Sequence, residues 1–136
     1  MEKVYLASKF PFADRVAEIA ETLKEHGIEI TKDWWNFDYK TLDLPDDEWY
    51  RHPDVVRISQ ENFKAIDRAD ALVIVANGDD VCKFNGANVE LGYAIAKGKP
   101  CYSIGKLDRS AMYAPVLQLP SVEAFIDRIR EEKEWE

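Results

Sequence analysis

The sequence predicts one α/β domain, a parallel sheet of about five strands with helices on both faces. Three observations carry that expectation. Short apolar runs of strand length alternate along the chain with stretches of helical periodicity. One run, Ala71 to Ala76 (ALVIVA), is continuously apolar, as a parallel strand covered on both faces must be. Gly27 and Gly98 each stand just past a helical stretch, where a chain leaves a helix. With 136 residues and 46% hydrophobic content the chain can build one continuous core, and no Pro/Gly/Ser-rich linker divides it. The expected unit is therefore a single domain over residues 1–136.

The elements follow in order. Val4 to Ala7 opens as a strand, and Val16, Ile19, Ala20 and Leu23 recur at the i, i+3, i+4, i+7 spacing of a helix that stops at Gly27. Ile28 to Thr31 alternates as a second strand. From Lys32 to Pro53 no period holds, and the stretch reads as one long loop of aromatics, acids and prolines, a lid or a substrate wall. Val56, Phe63 and Ile66 mark a helix ending near Ala69, ahead of the ALVIVA strand. A polar loop, Asn77 to Asn85, leads to a helix over Ala87 to Lys97, then a strand over Pro100 to Ile104 and a last one over Val116 to Leu119. Ser121 caps a final helix with Val122, Phe125, Ile126 and Ile129 as its core stripe. The order is that of a flavodoxin-like or Rossmann-like layer, in which ligands sit beyond the carboxyl ends of the strands, where the loops after Ala7, Thr31 and Ala76 converge.

Composition narrows the partners. The formal charge of −8, from 26 acidic against 18 basic residues, repels a nucleic acid polymer, while a local lysine or a set of backbone N–H groups still accepts one small phosphate. Cys82 and Cys101 show no metal-ligand spacing, and His26 and His52 stand apart from them, so no metal or disulfide framework is expected. No stretch has the apolar length of a membrane span and none at the start reads as a signal peptide, so the expected location is the cytoplasm.

The segment from Ala69 to Gly105 reads strand, polar loop, Gly-bearing turn, helix and strand, with Gly86, then Glu90, Gly92 and Ala94 in an ExGxA pattern, then Gly98, Lys99 and Pro100. That block resembles the signature of the nucleoside 2-deoxyribosyltransferase-like family, and the opening KVYLAS resembles the family's first strand. The resemblance implies an enzyme that breaks an N-glycosidic bond, with Glu90 as nucleophile, Tyr5 close to it, no cofactor, and a pocket completed in a homo-oligomer, where Met112 and Tyr113 would reach a neighbour. Chemistry gives Glu90 independent sense, because displacement at C1′ of a sugar passes through an oxocarbenium-like state that an ionised carboxylate stabilises or bonds. A first-turn position in the helix would keep that carboxylate charged through the macrodipole, and Gly86 would allow close approach of substrate. On local features alone, the favoured reading of a first-turn Glu is a capping residue without catalytic duty.

Other candidates stand on the same converging loops. Tyr5 either holds the carboxylate by a hydrogen bond or caps the face of the first strand. Ser8 and Lys9, just beyond that strand, suit a phosphate or sugar hydroxyl, with an exposed turn as the alternative. Trp34 and Trp35 offer a face for a base to stack on, or pack as the loop's private core, and Asp33 beside them suits sugar or base. Asp79 and Asp80 lie at the carboxyl edge of the ALVIVA strand, and Gly86 and Asn88 adjoin Glu90. Of the polar residues before that strand, Asn62 stands where the resemblance expects an acid. Asp67 is a further candidate, while Asp70 falls at the wrong end of the sheet. The function expected is cleavage of a (deoxy)nucleoside or its 5′-monophosphate, by transferase or hydrolase. The alternative is a non-catalytic nucleotide-binding or sensing module. A regulatory flavodoxin-like domain ranks last, because Tyr5 is followed by Leu6, Ala7 and Ser8 where an acidic phospho-acceptor would end the first strand.

Overall fold

The computed structural model describes residues 2–37, 43–76 and 84–134. Five strands form one all-parallel sheet: β1 (Lys3–Ala7), β2 (Glu29–Ile30), β3 (Ala71–Val75), β4 (Cys101–Ile104) and β5 (Val116–Leu119), in the order β2-β1-β3-β4-β5. That is the doubly wound flavodoxin-like order, with its reversal between β1 and β3. Helix α1 (Ala13–Glu25) packs with α5 (Val122–Glu134), and α3 (Pro53–Arg68) packs with α4 (Gly86–Ala96), which covers both faces. Every residue of β3 is buried, the reason its run carries no polar residue.

Local chemistry explains the boundaries. The buried face of α1 is Val16, Ile19, Ala20 and Leu23, and the chain leaves the helix through Gly27 at φ 80. Gly98 does the same after α4 at φ 73. The Ser121 hydroxyl accepts from Ala124 N at 3.1 Å, the expected cap of α5, and Phe125 stacks edge-on against Tyr102 at 5.3 Å. Asp70 accepts from Glu2 N (2.9 Å) and Lys3 N (3.0 Å), which ties it to the amino end of β1, away from the converging loops.

Two expectations fail. The stretch from Lys32 to Pro53 is not all loop: Trp34–Asn36 makes a 3-10 turn, and Asp46–Arg51 makes a short helix, α2. Its cues are local, with Pro45 before it, Asp46, Asp47 and Glu48 in the first turn and Arg51 in the last, all favourable to the helix dipole. The stripe of α3 departs at one position. Only Val56 departs from the expected positions, being 42% exposed, while Ile66 is buried and Phe63 packs against the core as expected, with Ile58 and Ala65 buried beside them.

Gly105, just after β4, has φ +102, and a Cβ there would stand 3.1 Å from both the Cβ and the carbonyl oxygen of Ala76. Gly105→Ala is therefore expected to destabilise the fold by about 2 kcal/mol or more, from backbone strain plus the clash with β3's end. Urea unfolding of the two proteins checks this, with an unchanged midpoint as the contrary result.

Candidate active site

Tyr5 of β1, the segments after β1 and β2, Asn62 of α3 and the start of α4 line a pocket of about 280 Å³ around Glu90. Tyr5, fully buried on β1, donates its phenol hydrogen to Glu90 Oε2 across 85 residues of chain. The surrounding loops are pinned to the sheet. Ser8 Oγ donates to Val75 O at 2.7 Å, Arg15 Nε to Ala76 O at 3.2 Å, and Trp34 Nε1 to Leu6 O at 2.6 Å. Each bond gives a carbonyl at a strand end a side-chain donor.

Glu90 departs from expectation in one respect. It is the fifth residue of α4, one turn further in than its amino end, so the first-turn macrodipole does not set its charge. Burial dominates and pushes its carboxyl up to about 7, against which the Tyr5 hydrogen bond favours the ionised form. The expected permanently ionised carboxylate is thus replaced by one that titrates near neutrality.

The other candidates separate. Ser8, Lys9, Trp34 and Gly86 share the Glu90 pocket. The Lys9 ammonium lies over the Phe12 ring at 4.8 Å and has no carboxylate partner among the described residues. A Cβ at Gly86 would meet nothing within 4 Å, which leaves open room beside the carboxylate. Trp34 is 7% exposed and packs edge-on against Trp35 at 5.6 Å and tilted against Phe10 at 5.9 Å, the contacts of the private-core alternative, while it still lines the Glu90 pocket. Asp33 is not brought to the pocket. It accepts from Asn36 Nδ2 at 2.9 Å and lines a neighbouring cavity with Lys32, Arg57 and Glu61.

Asn88 is exposed, and its amide is already engaged, donating to Phe84 O and accepting from Tyr113 Oη at 2.7 Å. Tyr113 is therefore turned inward and buried, contrary to the expectation that it reaches a neighbour, while Met112 is 73% exposed. Asp67 accepts from Tyr93 Oη at 2.7 Å, away from Glu90. Asp79 and Asp80 lie outside the described residues. Asn62 does face Glu90 across the pocket wall, and its Oδ1 is buried without a hydrogen-bond partner among the described residues.

Sequence reasoning missed the second half of the site. A larger cavity of about 840 Å³ adjoins the first, walled by Trp49 and Tyr50 of α2 with Phe63 and Phe84, and shares Glu90, Asn62, Asn85 and Gly86 with it. The signal was available in the sequence as an aromatic pair behind three acids, once those acids are read as the first turn of a helix. Among the described residues, no group of three His, Cys, Asp or Glu could hold a metal ion, and no helix is long and apolar enough to cross a membrane.

A doubly wound parallel sheet with a desolvated carboxyl and a phenol at its reversal point defines the class: an α/β protein with a small-molecule pocket at the switch point of its strands. A model described as nucleoside 2-deoxyribosyltransferase matches residues 4–126, and the chain belongs to that family. Membership supports chemistry at an N-glycosidic bond. Among solved structures the chain is similar to the Clostridium botulinum CMP N-glycosidase BcmB, at 18% identity and a TM-score of 0.59, over 96% of this chain and 99% of that one. At that identity the likeness concerns the fold. No curated protein matches the chain in sequence.

Proposed function

We propose that the protein cleaves the N-glycosidic bond of a nucleoside or deoxynucleoside, or of its 5′-monophosphate, through a covalent glycosyl-Glu90 intermediate. The observation that carries the reading is the Tyr5–Glu90 pair, a partly buried carboxyl held by one phenol in a pocket where the strands end. The ionised Glu90 attacks C1′ as the C1′–N bond breaks and its electron pair leaves with the base, which takes a proton from the medium. A second base or a water then attacks C1′, the Glu90–C1′ bond breaks, and the carboxylate is restored. With water as acceptor, one proton is returned to the medium and the net reaction is hydrolysis.

Tyr5 orients the attacking oxygen and keeps part of the carboxyl population ionised. The Lys9 ammonium suits a 5′-phosphate or a sugar hydroxyl on the same wall, and Gly86 leaves room for the sugar. The structurally similar BcmB is named for action on CMP, which agrees with including monophosphates in the substrate class. Exposed Met112 is the residue this reading reserves for contact between copies in a homo-oligomer.

The test is release of free base from a panel of ribonucleosides, deoxyribonucleosides and their 5′-monophosphates, with and without an added acceptor base. Release is expected from at least one of them, and mass spectrometry should find a sugar adduct on the peptide bearing Glu90. Release that needs an acceptor marks a transferase, and release without one marks a hydrolase. No release from any substrate by the folded protein would replace this reading with the non-catalytic nucleotide-binding module.

A further inference from the structure

The turn that opens α4 is held from outside the Glu90 pocket. Phe84, Asn85 and Gly86 border the larger cavity beside Glu90, and Asn85, the residue before the helix, makes no side-chain cap. The tie comes from inside the helix instead. Asn88 Nδ2 donates to Phe84 O, while the backbone N–H groups of Asn88 and Val89 both go to Asn85 O, at 3.1 and 3.4 Å. The Asn88 amide thus supplies the Phe84 carbonyl with a donor across the first turn of α4. At its other end the Phe84 ring is buried, edge-on to Phe12 at 6.5 Å. With carbonyl and ring both held, the chain enters Gly86 from a fixed place.

Tyr113 fixes which way that amide faces. A carbonyl only accepts, so the Asn88 NH₂ must point at Phe84, and its Oδ1 is left for the Tyr113 hydroxyl, which donates at 2.7 Å. Tyr113 is buried in the 3-10 turn Ala111–Tyr113 between β4 and β5, and it lines neither cavity at Glu90. Burial, and after it the charge of Asp108, raise its phenol above the usual value, so it stays a donor throughout the range in which Glu90 titrates.

Resting on the glycosidase reading, we infer that Asn88 and Tyr113 are positioning residues for the reaction: the chain Tyr113–Asn88–Phe84 clamps the turn at Gly86, so that the sugar meets Glu90 in one geometry. Neither residue touches C1′. The connection between β4 and β5 thereby shapes a pocket that it does not line. Such a clamp matters because attack on C1′ requires the carboxylate oxygen and the sugar carbon to be held within reach and in line.

The experiment compares Tyr113→Phe, Asn88→Ala and the double variant with the wild type. The first removes one hydroxyl, and the second places a better helix former in α4, so neither weakens the helix by its own propensity. Each is expected to lower kcat for base release about 10-fold, with KM within about twofold and Glu90 still titrating at about 7. The double variant should be no slower than Asn88→Ala alone, since Tyr113 acts only through that amide. Exchange of the Asn88 and Val89 amide hydrogens, read by NMR in Tyr113→Phe, should quicken about 10-fold while exchange in β1 and β3 is unchanged. Losses that multiply in the double variant, or exchange that quickens equally in the sheet, overturn the clamp. Base release by the wild type with kcat unaltered in Tyr113→Phe would end the positioning role and leave the glycosidase reading standing. A wild type that releases no base removes the glycosidase reading, and exchange then decides the clamp alone: quickened in Tyr113→Phe, it stands, and unchanged, it falls.

Discussion

Glu90→Gln is expected to lower base release by at least about 10³-fold, the scale on which an enzyme loses a covalent nucleophile. The amide keeps the shape of the side chain and can still accept from Tyr5, so the pocket is preserved while the group proposed to attack C1′ is gone. The substitution has a second readout, in stability, that follows from the burial of the carboxyl. Folded Glu90 holds its proton up to about 7, whereas its ordinary value is 4.5, so between those values the folded state binds more protons than the unfolded one. Stability therefore falls as pH rises through that window. Glu90→Gln removes the penalty and should stabilise the protein above pH 7 by on the order of 1–2 kcal/mol, a figure reduced for the partly exposed side chain. Urea unfolding at pH 5 and pH 8 checks it. Residual release within tenfold of wild type would end the nucleophile assignment.

The same titration fixes the pH dependence of turnover. In the proposed mechanism only the ionised carboxylate attacks, so kcat/KM for a substrate that does not itself titrate should rise about tenfold per pH unit up to about 7 and then level, leaving the value at pH 5 roughly 100-fold below the plateau. The other ionisable groups on the pocket wall among the described residues are Tyr5 and Lys9. Tyr5 donates to the carboxylate and favours its charged form, so Tyr5→Phe should move the acid limb to higher pH as well as lower the plateau. A limb near 4.5 would contradict burial as the source of the raised value, and a limb that Tyr5→Phe leaves in place would contradict the opposing pull of the phenol.

The sheet was legible in the sequence because its signals are local and redundant. The ALVIVA run, the α1 stripe and the glycines at 27 and 98 each specify an element without reference to the rest of the chain. Glu90 and Tyr5 were legible through the resemblance, and the hydrogen bond between them is present. What escaped depends on tertiary packing. The burial that holds Glu90 half protonated near neutrality is set by neighbours from three elements, and no spacing encodes it. α2 is six residues long, too short for a periodic stripe, and declares itself only by its acids and its packing on α3. The inward turn of Tyr113 and the occupied amide of Asn88 follow from a single hydrogen bond between residues 25 apart.

The sheet order has a consequence for how the protein comes to be active during synthesis. Tyr5 lies on β1 and its partner follows β3, so the bond between them exists only after Val4 to Ala7 have paired with Ala71 to Ile74. Tyr5 is synthesised before α4, and it has no Glu90 to meet until helix α4 has left the ribosome. Chains that end before α4 thus lack the Tyr5–Glu90 pair, and the proposed site is assembled only once the central strands have docked.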